Sequence, residues 1–133
     1  MRFLSSLSKS VALLVSVVML VISSLVFSSP AEATNYQVTM GAGGLRFSPN
    51  KVNVQPGDTV TFKNGKLAPH NIVFNPKKSP DKKLAKKLSH KKLAMKTGET
   101  FDINIPANAK SGNYEFYCGP HRGAGMVGQL IVE

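Results

Sequence analysis

The sequence is poor in cysteine, in histidine and in acidic side chains, and each shortage closes off a reading. One cysteine, Cys118, among 133 residues rules out an internal disulfide. Three histidines, His70, His90 and His121, are too few to build a redox site and a separate catalytic copper site as well. Seven Asp and Glu against 17 Lys and Arg give a formal net charge of +10, so the surfaces this chain meets are expected to be acidic. Internal repeats are also missing, which leaves a single globular unit as the simplest organisation.

What is present begins with an N-terminal segment unlike the rest. Arg2 and Lys9 make a basic start, "VALLVSVVMLVISSLVF" from Val11 to Phe27 is apolar apart from its serines, and "AEA" from Ala31 to Ala33 is a small-x-small cleavage signal. This reads as a signal peptide over residues 1–33, cut after Ala33. The serines and the cleavage signal weigh against the other reading, a retained membrane anchor. The remaining domain, residues 34–133, loses Arg2, Lys9 and Glu32 and keeps 15 basic and 6 acidic side chains, a formal charge of +9. A lone thiol in an exported chain is buried, pairs between chains, acts as a nucleophile or binds metal.

After the signal segment the hydrophobic pattern has a period of two, the mark of strands with one face on a core. Strands are expected over Tyr36 to Met40, Lys51 to Gln55, Thr59 to Lys63, Asn71 to Asn75, Thr100 to Ile105, Asn113 to Cys118 and Val127 to Glu133. Between them, "SPN", "PGD", "NGK", "KTGE", "AKSGN" and "GPHRGAG" supply turn residues. So many short strands in about a hundred residues predict an all-β fold, an antiparallel Greek-key β-sandwich.

One stretch breaks the pattern. In "SPDKKLAKKLSHKKLAM", Leu84, Leu88 and Leu93 fall near helical spacing, with Ser79 or Asp81 placed to cap, so one short surface helix is expected. Lys82, Lys83, Lys86 and Lys87 sit in this insert with Lys77, Lys78, Lys91 and Lys92, forming either a solvated face or a docking patch. Nucleic acid is excluded as the partner: the chain is exported, and no aromatic residues interleave the lysines. His90, also in the insert, is expected to be solvent-exposed.

The chemistry concentrates in "YCGPHRGAGM", where Cys118, His121 and Met126 follow one another as C-x2-H-x4-M between two strands. His70, at the head of "HNIVF", is the candidate for a fourth ligand. A thiolate, two imidazoles and a weakly bound thioether form the soft donor set of a blue copper site, whereas zinc favours harder or more uniform ligands. Taken singly, Cys118 reads as a buried thiol, Met126 as core filler, His70 as a loop histidine and His121 as a surface group; the spacing is what makes them a set. Pro69 and Pro120 stiffen the approach to the two histidines. Asn71 stands where its amide can join the two ligand loops.

At these residues the chain resembles the plastocyanin family. "YCGPHRGAGMVG" (Tyr117 to Gly128) is similar to the family's copper loop, "PHNIVF" (Pro69 to Phe74) to its first histidine segment, and "VQPGDTVTF" (Val54 to Phe62) to an earlier strand-turn-strand. The resemblance implies a cupredoxin β-sandwich with one copper ion, Cu(I)/Cu(II), held by His70, Cys118, His121 and Met126. It implies a mobile carrier, not an enzyme, that takes electrons from cytochrome f and passes them to photosystem I in the thylakoid lumen, touching the membrane only through those partners. It also implies docking through Leu45, Pro69, Pro120 and His121, with Tyr117 beside a second, remote surface and Arg122 matching an arginine that cyanobacterial members use in docking. The short, single export signal points to the cyanobacterial type. Two departures stand out: "NPKKSPDKK" is basic where plant members are acidic, and Gly119 replaces a larger polar residue, which is expected to weaken the link to Asn71. The rival from another class is an exported copper chaperone or buffer using the same soft ligands.

Overall fold

A computed structural model describes residues 31–67 and 69–133; the expected signal peptide lies outside them except for its last three residues. Among the described residues, nine strands and one α-helix follow in order: β1 Asn35–Met40, β2 Phe47–Ser48, β3 Lys51–Val54, β4 Thr59–Asn64, β5 His70–Phe74, α1 Lys82–Leu88, β6 His90–Ala94, β7 Thr100–Asn104, β8 Gly112–Tyr117 and β9 Val127–Val132. Single 3-10 turns occupy Pro76–Lys78 and Arg122–Ala124. Four strands form one sheet in the order β2-β1-β4-β7, and five form the other, β3-β9-β8-β5-β6.

Period-two patterning explains which side chains meet. Val52 and Val54 of β3, Val60 and Phe62 of β4, and Leu130 and Val132 of β9 point inward, alternating with exposed or half-buried neighbours. At the centre Phe116 meets Phe47 edge-on at 4.9 Å and Phe62 at 5.6 Å, with Phe74 tilted at 5.4 Å. Such aromatic pairs add about 0.5–1.5 kcal/mol each beyond the area they bury. Room for the Phe116 ring comes from Gly128, its register partner on β9, where a Cβ would collide with the ring and approach the Asn50 carbonyl to 3.0 Å.

The expected β-sandwich is present, and the antiparallel expectation is corrected for two of its strand pairs. β1 runs parallel to β4, and β3 parallel to β9; the other strand pairs are antiparallel. The chain changes sheet at β2–β3, β3–β4, β4–β5, β6–β7 and β7–β8, so neighbours in a sheet are not always joined by a hairpin, and only hairpins force antiparallel pairing.

The helix is shorter than the sequence pattern suggests. Asp81 caps it, accepting from the Lys83 N–H at 2.8 Å and the Leu84 N–H at 3.0 Å. Leu84, Ala85 and Leu88 are buried, while Lys82, Lys83, Lys86 and Lys87 face outward. The Ser89 hydroxyl then donates to the Ala85 carbonyl and accepts from the Phe74 N–H, tying the helix end to β5. Leu93 is not helical. It belongs to β6, which pairs with β5. His90 is likewise not a free surface group: it is half-buried and stacks on Phe101 of β7 with ring centroids 3.9 Å apart and planes 10° apart. Because β6 and β7 are edge strands of different sheets, this stack bridges an open side of the sandwich.

Candidate metal centre

The copper-loop residues follow β8 and lead into β9, and the loop is folded by its own backbone. Cys118 N–H donates to the Met126 carbonyl at 3.1 Å, Met126 N–H to the His121 carbonyl at 3.2 Å, and His121 N–H to the Cys118 carbonyl at 3.3 Å. Gly125, at φ 80°, supplies the left-handed turn that brings the chain back toward β9. Cys118 and Met126 are fully buried, and His121 is half-buried.

His70 enters from the head of β5, fully buried. Its Nδ1 lies 3.7 Å from Cys118 Sγ and 3.2 Å from His121 Nδ1; Cys118 Sγ and His121 Nδ1 are 3.5 Å apart. A point equidistant from these three atoms is about 2 Å from each, the length of a metal–imidazole bond. The triangle therefore has the size a metal ion needs without moving any donor. His70, Cys118 and His121 form the one such donor cluster among the described residues.

The surroundings fix the rings. His70 Nε2 sits 3.2 Å from the Lys66 carbonyl; with Nε2–H donating there, Nδ1 carries the lone pair that faces the cluster. Burial pushes the His70 imidazole below its ordinary range, a tendency opposed by the Lys66 carbonyl and reinforced by His121. A neutral, metal-ready ring results. Gly41, at φ 77°, presses against the same ring: a Cβ there would come within 2.6 Å of His70 Nε2 and collide with the Lys66 carbonyl. Neither contact has a side-chain signature in Lys66 or Gly41, so reading ligand types and spacings missed both.

Asn71 is 7% exposed and joins three segments. Its Oδ1 accepts from the Gly119 N–H at 2.7 Å, and its Nδ2 donates to the Lys91 carbonyl at 2.9 Å. The expected weakening by Gly119 is thus corrected, because the link uses the backbone N–H, which every residue but proline carries.

The remaining sequence-selected residues divide into two groups. Leu45 is 36% exposed, Pro120 is exposed and Pro69 half-buried. In the second group, the Arg122 guanidinium lies 4.1 Å over the Tyr117 ring, and Arg122 lines one depression with Asn75, Pro76, Lys77, Lys82 and Lys86. The copper loop and the lysine helix are therefore contiguous at Arg122. Lys83 and Lys87 are exposed on the same helix but do not line that depression.

A two-sheet sandwich with His, Cys and His donors converging at one end defines a cupredoxin. The sequence pattern of the copper-binding proteins of the plastocyanin/azurin family matches residues 34–133, and the chain belongs to that family. It is 46% identical to a plastocyanin of Nostoc punctiforme over 138 aligned residues, spanning 100% of this chain and 99% of that one. A plastocyanin of Vicia faba is 45% identical over 100 residues, covering 72% of this chain and 98% of its own. Among solved structures, the oxidised plastocyanin of Dryopteris crassirhizoma superposes with a TM-score of 0.62 at 31% identity, over 73% of this chain and 99% of that one. The cofactor is one copper ion.

Proposed function

We propose that this protein is a mobile one-electron carrier in which His70 Nδ1, Cys118 Sγ and His121 Nδ1 would hold copper strongly and the Met126 thioether would add a weaker bond. The observation that carries this is the donor triangle, already closed to bonding dimensions around a single point. Copper bound there supplies reversible one-electron chemistry between Cu(I) and Cu(II). The chain's own residues do the rest: burial of Cys118, His70 and Met126 excludes water, and the loop's backbone bonds hold the donors still. In this role the protein is a carrier, not an enzyme.

The donor is cytochrome f and the acceptor photosystem I, met in the thylakoid lumen after residues 1–33 are removed. Support comes from the family and from the surface. His121 is the donor whose ring is half-exposed, and Leu45, Pro69 and Pro120 offer the apolar collar through which a partner would approach it. The lysines and Arg122 steer acidic partner surfaces toward that end, raising association rate more than affinity.

Adding Cu(II) to the purified protein should give an intense blue charge-transfer band that a mild reductant bleaches reversibly, and Cys118→Ser should remove it. A colourless parent protein would sink the assignment. A chaperone or buffer would surrender copper quickly to a chelator; buried donors on two segments predict slow release.

A further inference from the structure

Asp58 is the one buried carboxylate among the described residues, 4% exposed, and it has no cationic side chain as partner. Its Oδ2 accepts from the Gln55 N–H at 2.7 Å, while the Asp58 N–H donates to the Gln55 carbonyl; these two bonds close the turn between β3 and β4. The turn needs only that oxygen. The other, Oδ1, reaches 24 residues back to accept from the Thr34 N–H at 2.8 Å, and the Thr34 carbonyl accepts from the Thr59 N–H at 3.0 Å. A buried carboxylate held by two neutral N–H groups alone is an expensive arrangement, and it is aimed at the first residue after the small-x-small signal "AEA".

We propose that Asp58 is the receptor for the ammonium group created when the chain is cut between Ala33 and Thr34. In that cleavage water adds across the Ala33–Thr34 amide under an export-linked endopeptidase, leaving a carboxylate on Ala33 and an α-ammonium on Thr34. The nitrogen that donates one neutral hydrogen bond to Asp58 in the uncut chain then becomes a cation at the same place. Processing thereby converts an uncompensated buried charge into an ion pair, and the cut protein gains stability that the precursor lacks. On the elements packed around the pair, Tyr36 of β1, Lys51 of β3, Lys63 of β4, Asp102 of β7 and Glu133 beside Val54 are the titratable groups; none bonds or pairs with Asp58. Thr61 binds Asn35 and Asp102, and Thr59 binds Asn104, so the polar neighbours are otherwise engaged.

An ammonium facing Asp58 has its pKa raised above the ordinary α-amino value of about 7.7–8.0. Its contribution is complete below that value and is lost as pH rises through the raised one. A rise of one unit corresponds to about a tenfold change in the folding equilibrium.

The test uses the full-length chain, exported by a bacterial host and purified with its copper. Intact mass should show a product beginning at Thr34. Melting is then followed from neutral to alkaline pH for the parent, for a variant with Ser-Gly inserted after Ala33, which moves the ammonium off Asp58 and alters no side chain, and for Asp58→Asn. The parent should be the more stable at neutral pH, by about tenfold in the folding equilibrium, and should lose that advantage over the extended form as the pH rises. In the Asp58→Asn background the same insertion should make no difference. A product starting elsewhere overturns the inference, as do identical alkaline profiles in parent and extended protein, or an advantage that survives Asp58→Asn. The blue absorbance should be the same throughout, so its loss would count against the copper centre and leave this inference to the melting data.

Discussion

Replacing Asn71 by Ala should loosen the metal centre without touching a ligand. The side chain makes two hydrogen bonds, from the Gly119 N–H at 2.7 Å and to the Lys91 carbonyl at 2.9 Å. Each is worth about 0.5–1.5 kcal/mol net. Both stranded groups belong to exposed residues, so water can reach them and the full desolvation penalty of an orphaned buried group is not expected. The sum is about 2 kcal/mol, which for a domain of this size lowers Tm by about 8–16 °C. Thermal melting of the metal-free and copper-loaded forms measures it. Because Asn71 joins the segment after Cys118 to the strand that carries His70, copper release to a chelator should also accelerate. Asn71→Asp sharpens the test: it keeps an acceptor for Gly119 but sets a carboxylate oxygen against the Lys91 carbonyl, so it should destabilise too. Unchanged melting together with unchanged copper release in Asn71→Ala would refute the bridging role.

Gly128→Ala should cost about 1–3 kcal/mol by overpacking against the Phe116 ring, measured by denaturant unfolding, and pairing it with Phe116→Leu should cost less than the two changes summed. Glu99 accepts from the Lys96 N–H at 3.2 Å and the Met95 N–H at 3.0 Å, and these bonds, chiefly the one from Lys96, hold its carboxyl below the ordinary value of 4.5. Its contribution is therefore present above that value and lost as pH falls through the lower one, so Glu99→Gln should melt below the parent at neutral pH and the gap should close in acid. Changing Lys82 and Lys86 together to Gln should slow association with an acidic redox partner at low salt, and the difference should fade as ionic strength rises, in stopped-flow traces.

The parts of this molecule written in side-chain pattern were legible, and those written in backbone were not. Seven of the nine strands follow from alternation because each has one face on the core, and Leu84 with Leu88 betrayed the helix. β2 is two residues long, too short for any period, and β6 is hidden in "HKKLA", where lysines on an edge strand imitate a helix surface. Leu93 was misassigned for that reason. Parallel pairing of β1 with β4 depends on where the chain changes sheet, which no local pattern records. The donor types and their spacing stood out in the sequence, yet the Lys66 carbonyl that selects the His70 tautomer and the Gly41 backbone that confines the ring carry no residue signature. The His90–Phe101 stack was equally hidden, since it joins strands from different sheets.

Those backbone contacts matter for what a carrier must do. The loop from Cys118 to Met126 is closed by five of its own backbone hydrogen bonds, His70 is held through Lys66, and Asn71 joins the two sides; none of these uses an atom that a metal would take. The donors are thus arranged by the fold and not by the ion. A site shaped in this way cannot relax toward the geometry that either valence would choose for itself, since each relaxation would break bonds worth about 0.5–1.5 kcal/mol apiece. Little then has to move when an electron arrives or leaves. A mutation should therefore hurt electron transfer within the site at Gly41 and Asn71, which hold the ligands, before Leu45 or Lys82, which only present the site to its partners.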